Sequence, residues 1–140
     1  RSGTVYGRDK LVKNLCARLF IATTFSLLAS ISSAQQQLSG DDIARLVTGK
    51  SVEIVVHVQN DARNTLYFSK DGNALSRSEG GRVTNGKWRI SDDGLHCTQW
   101  GSRPETCAQI VKQPDGSFKR IEGGAIRATW RRIVDGKSFD

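Results

Sequence analysis

The sequence predicts a mainly β domain: an antiparallel meander of about eight strands forming a small barrel or sandwich, a lipocalin-like barrel being one form. One short N-terminal helix and one disulfide complete the expectation. Three observations carry it. Beyond Gly49 the chain runs in short stretches rich in Val, Ile, Thr, Tyr, Phe and Trp, the residue types that fit a pleated, half-buried surface. Glycine-bearing turns separate these stretches at regular intervals, as in meanders, sandwiches and barrels. No second helical period interrupts them, which argues against a parallel βαβ arrangement.

Taken in order, the elements begin with a targeting pattern. Lys10, Lys13 and Arg18 form a positive stretch, residues 19–31 an apolar one, and Ser32-Ser33-Ala34 supplies small residues. That three-part order is the pattern of a secretory signal peptide. Its apolar stretch falls short of the roughly 20 residues that span the ~30 Å hydrocarbon layer. Residues 1–34 are therefore expected to be a signal peptide with upstream residues, and residues 35–140 a single β domain, with no stable membrane span after cleavage. The formal charge is +7, but the first 34 residues hold five bases and one acid, which leaves +3 on the remainder. Much of the basic character is thus targeting chemistry, and nucleic acid is not expected as a partner. The expected location is periplasmic or secreted, and the expected state a monomer.

Gln35-Gln36-Gln37 reads as a polar lead-in. A helix follows, capped by Ser39 with Asp42 three residues on, and with Asp41 and Asp42 favouring its positive end. Leu38 and Ile43 stand at the staple positions, Ile43, Leu46 and Val47 form an apolar stripe, and Gly49 stops the helix. Strands are then predicted over 51–59, 65–69, 74–79, 82–91, 95–100, 106–113, 117–122 and 125–134. The first places Val52, Ile54, Val56 and Val58 on one face. Asp71-Gly72, Gly80-Gly81, Asp93-Gly94, Asp115-Gly116 and Gly123-Gly124 mark turns that need residues tolerant of positive φ.

Export implies an oxidising compartment, where the even pair left after cleavage, Cys97 and Cys107, reads as a disulfide. The hairpin register agrees: centred on Ser102, it sets Cys97 opposite Cys107 and Thr98 opposite Thr106. A bridge there stabilises by about 2–4 kcal/mol.

From Leu46 to Val111 the order of features resembles a family of small periplasmic proteins of alphaproteobacteria known only as a domain of unknown function. The shared residues are Leu46-x-x-Gly49, Tyr67-Phe68 before Asp71-Gly72, and Gly86-x-Trp88. They continue through Asp93-Gly94-Leu95-x-Cys97-x-x-Trp100 and Cys107, with Asp115-Gly116 beyond. His96, directly before the first cysteine, departs from the pattern. The resemblance implies a periplasmic β fold with a disulfide and no assigned reaction.

No constellation rises to catalysis. Asp92, Asp93 and His96 could form an acid–base cluster, but Asp-Asp-Gly is first a hairpin turn. Alternation sets His96 with Thr98 and Trp100 on the face opposite Cys97, as a satisfied or exposed structural histidine. His57 alternates with Glu53 and Val55 and has no evident partner. A metal site would draw on both histidines, too few with the cysteines paired, so neither metal nor cofactor is expected. The chain holds no Gly-x-Ser-x-Gly elbow and no phosphate loop, and no enzyme is expected.

Trp88 with Ile90, and Trp130 with Ile126 and Ala128, read as core. Trp100 and Arg103, at a hairpin tip beside Gly101 and Pro104, are the expected binding residues, with Trp100 either exposed or folded over a barrel mouth. Lys87, Arg89, Arg127 and Arg131 could make a basic stripe for polyanions. The expected function is a non-catalytic exported binding or inhibitor-like module contacting a ligand, envelope component or protein. A small envelope hydrolase and a polyanion-binding surface protein are the alternatives.

Overall fold

The computed structural model describes Gly3 and residues 35–140; the expected signal peptide lies outside the described residues. Residues 35–140 fall in one compact unit. The chain forms β1 (Gln36–Gln37), α1 (Gly40–Val47), β2 (Lys50–Val56), a 3-10 turn (His57–Gln59), β3 (Ala62–Phe68) and β4 (Asn73–Ser78). It continues through β5 (Val83–Ile90), β6 (His96–Trp100), β7 (Thr106–Lys112), β8 (Phe118–Glu122) and β9 (Ala125–Asp135). Each strand from β2 onward pairs antiparallel with its successor, and β9 returns to pair with β2. The result is a closed eight-stranded barrel, which removes the free edges that an open sheet exposes.

β1 is an extra strand. Val111 and Lys112 of β7 pair with Lys119 and Phe118 of β8 on one side and with Gln37 and Gln36 on the other. The short β1 thus covers the part of the β7 edge that lies beyond β6. Sequence alone did not predict this strand, because two glutamines carry no alternation. Their pairing is dictated by the edge they meet.

Ser39 caps α1 as expected, its hydroxyl oxygen accepting from the Asp42 amide at 3.2 Å. Ile43 and Val47 are fully buried and close one end of the barrel, where the core gathers Val52, Phe68, Ala74 and Ile110. The C-terminal segment seals the same end. Ser51, itself buried, donates to the Gly136 carbonyl at 2.8 Å and accepts from the Ser138 amide at 2.9 Å.

Cys97 faces Cys107 and Thr98 faces Thr106, the expected register. The cysteines are bridged, with Cα atoms 4.0 Å apart. Two expectations need correcting. The first strand ends at Val56 rather than at residue 59, because Asn60 and Asp61 both take positive φ and wind residues 57–59 into a 3-10 turn. The second concerns β9. Arg120 pairs with Ala128 and Ile121 with Ile126, so Arg127 is bulged out of the ladder; Arg131 is likewise skipped between Trp130 and Arg132. Bulges reset the alternation. Ile126 is therefore 44 % exposed although Ala128 and Trp130 are buried, and the even stripe of Arg127 and Arg131 does not form.

Candidate functional site

Alternation sends one residue in two into the barrel. On β6 these are His96, Thr98 and Trp100, and on β8 Phe118, Arg120 and Glu122. Near α1 the inward side chains are large and fill the barrel. Towards the opposite end they shrink to Asn64, Ser76, Ser78, Thr84, Thr98 and Thr106, and a cavity of about 760 Å³ opens there. Its floor includes Ile54, Leu66, His96 and Trp130, and its mouth is set by the turns carrying Val58, Arg82 and Arg103 and by the end of β8 at Glu122.

Trp100 and Arg103 both line the mouth. Trp100 is half-buried and folds over the barrel, the second of the two alternatives for it. Its partner across the β5–β6 ladder is Gly86, and a Cβ there would meet the Trp100 ring at 2.5 Å and the Gln99 carbonyl at 2.4 Å. The glycine of Gly86-x-Trp88 thus gives Trp100 a place to lie. Arg103 is exposed, and its amide donates to the Trp100 carbonyl at 3.1 Å.

His96 is the largest departure from expectation. It is fully buried, and neither Nδ1 nor Nε2 has a hydrogen-bond partner. Phe68 and Trp130 meet its ring edge-on at centroid distances of 5.0 and 5.2 Å, and Trp88 stacks at 6.0 Å. Burial, seconded by the positive charge of Arg120, lowers its pKa to about 3. At neutral pH the ring is uncharged and behaves as a fourth aromatic. Asp92 and Asp93 are exposed on their turn and form no hydrogen bond or ion pair with it.

Arg120 projects into the lumen, its side chain 11 % exposed. It forms an ion pair with Glu122, and its Nη2 donates to Thr98 Oγ1 and the Thr106 carbonyl, both at 3.3 Å. Burial lowers its pKa to about 10, so it remains charged. Arg127, turned to the cavity by its bulge, has Nε 3.8 Å from Glu122 Oε2. That is too long for a hydrogen bond, and the buried Nε is otherwise unpartnered. One carboxylate therefore serves two guanidiniums. Sequence reasoning missed Arg120, Glu122 and Arg82; the signal was the run Phe118, Arg120, Glu122 on one strand face.

His57 has partners after all. On the outer wall its Nδ1 lies 2.7 Å from Asp61 Oδ1 and its Nε2 2.8 Å from Thr129 Oγ1. Cys97, Glu105 and Cys107 cluster closely enough to suggest a metal, but bridged sulfurs offer no thiolate. Glu105 is instead held by Arg89 through two hydrogen bonds of 2.7 and 3.0 Å, which neutralises one arm of the imagined basic stripe. Among the described residues, no helix is long and apolar enough to cross a membrane.

No family model, curated protein or solved structure matches the chain. The functional reading accordingly rests on the geometry of the lumen.

Proposed function

We propose that this protein is a non-catalytic exported binding module, acting as a monomer, that takes a small ligand into its barrel through the mouth flanked by Trp100 and Arg103. One observation carries the reading: a cavity of about 760 Å³ runs from an open mouth to an aromatic floor. Ligand sites are concave, mostly apolar and of about 300–1,000 Å³. Export is supported by the pattern of residues 10–34 and by the Cys97–Cys107 bridge, a bond that persists in oxidising compartments. The test is titration with the neutral dye 1-aminoanthracene. Dye should bind one-to-one with a rise in emission, and Ser76→Phe, which places a ring in the lumen, should abolish that binding while the protein stays folded. Unchanged binding to the filled barrel places the dye elsewhere and defeats the reading.

A small hydrolase is the second reading, favoured by the Asp61–His57–Thr129 chain of hydrogen bonds, the order of acid, base and hydroxyl used in nucleophilic catalysis. Against it, Thr129 sits within a strand, paired to Val55 and Lys119. Ester turnover lost in both Thr129→Val and His57→Ala would favour the hydrolase. Turnover absent, or indifferent to these changes, would leave the contacts as a tie between turn and strand.

A further inference from the structure

The binding reading leaves the ligand's chemistry open, and the cavity wall speaks to it. Its charged residues are Arg82, Arg103, Arg120, Glu122 and Arg127. Four arginines against one glutamate give a net of three positive charges on the lining. Glu122 is shared between Arg120 and Arg127, and Arg82 and Arg103 form no ion pair among the described residues. Low-dielectric walls focus such a field into the cleft.

The unpartnered buried atoms point the same way. They are Arg127 Nε, Trp130 Nε1 and the two His96 nitrogens. The first two are donors, and a neutral imidazole adds one donor and one acceptor. The lining therefore has donors in excess and calls for acceptors. Depth orders the chemistry: the arginines stand at the mouth and upper wall, whereas Ile54, Leu66, His96 and Trp130 make an uncharged floor.

We propose that the ligand is an anionic amphiphile, a carboxylate on an apolar body, with its charged group among Arg82, Arg103 and Arg127 and its body on the floor by Trp130. This rests on the lumen being the binding site. Glu122 then acts as an internal competitor, holding with its own carboxylate the guanidiniums that the ligand would use. Carboxylate is a better match than a cation or a neutral alcohol, because Arg presents paired N–H donors in the fork that a carboxylate accepts.

The experiment holds the body constant and changes the head. Dodecanoate, dodecanol and dodecyltrimethylammonium, each below its micellar or solubility limit, are titrated by calorimetry and by tryptophan emission. Dodecanoate should bind about tenfold or more tighter than dodecanol, about one charge-assisted contact, and the cation weakest. Arg103→Gln with Arg127→Gln should shrink that preference several-fold, since Arg82 alone of the three head-group arginines remains. Glu122→Gln should tighten dodecanoate several-fold. If Glu122→Gln fails to fold, the arginine pair decides alone, because neither change uncovers a buried charge. An arm with 2-naphthoate distinguishes an aromatic acid from an acyl chain as the body. Equal affinity for the three heads overturns the proposal but leaves the lumen reading standing. No binding of any head, together with failure of the neutral dye, overturns both.

Discussion

The two ends of the barrel treat their polar atoms in opposite ways. At the end closed by α1, buried polar groups are satisfied by the chain itself. The Ser51 hydroxyl both donates to Gly136 and accepts from Ser138, and Trp88 Nε1 donates to the Ser69 carbonyl at 2.8 Å. Around the cavity, His96 and Trp130 on its floor and Arg127 on its wall keep buried nitrogens without partners. An unsatisfied buried donor or acceptor costs about 1–3 kcal/mol, so the mouth half gives up stability that the closed half retains. Such departures from local consistency are expected where a molecule does its work. The closed end holds the packed core, and the mouth half holds the cavity and its unpaired polar atoms.

The sharpest way to break this comparison is acid. An unfolded histidine takes up a proton below about pH 6.5, whereas buried His96 does so only near pH 3. Across that window the unfolded state holds more protons, so stability rises with pH and falls as pH drops. At about 1.4 kcal/mol per unit, the loss from this group is on the order of 4 kcal/mol between pH 6.5 and 3. Urea melts from pH 7 to 3.5 check it. His96→Phe, which keeps a ring against Phe68 and Trp130, should flatten that limb and be at least as stable at pH 7. A variant with the same acid slope as the parent would show that His96 is not the group excluded from protonation.

Much of the fold could be read from the sequence because two signals repeat along it. Alternation and glycine turns located every barrel strand to within a few residues, and symmetry about Ser102 set the pairing of Cys97 with Cys107. What escaped was whatever alternation cannot write. β1 exists because β7 has an edge to cover, and the bulges at Arg127 and Arg131 arise from the register between β9 and two neighbours at once. Position at a hairpin tip singled out Trp100 and Arg103, which both line the cavity, and His96 was placed on the correct face. Its burial was not legible, since alternation separates two faces without saying which is inside. For the same reason alternation did not single out Arg120 and Glu122.

A finer comparison lies within the mouth, between the two residues first expected to bind. Trp100 lies over Gly86 and packs against the edge of the core, whereas Arg103 is exposed and forms no ion pair among the described residues. Trp100→Ala should therefore destabilise the protein by about 1–2 kcal/mol, a fraction of the 3–5 kcal/mol typical of a fully buried Trp. It should also weaken any ligand of the lumen. Arg103→Gln removes a charge held by no carboxylate, so stability should stay within about 0.5 kcal/mol. Its effect should appear in binding alone. Thermal melts of both variants, paired with dodecanoate titrations, separate scaffold from recognition at adjacent positions of one hairpin. A melt lowered as much by Arg103→Gln as by Trp100→Ala would mean that the tip is held by its guanidinium. In that case the division between a structural aromatic and a free charge at the mouth is wrong.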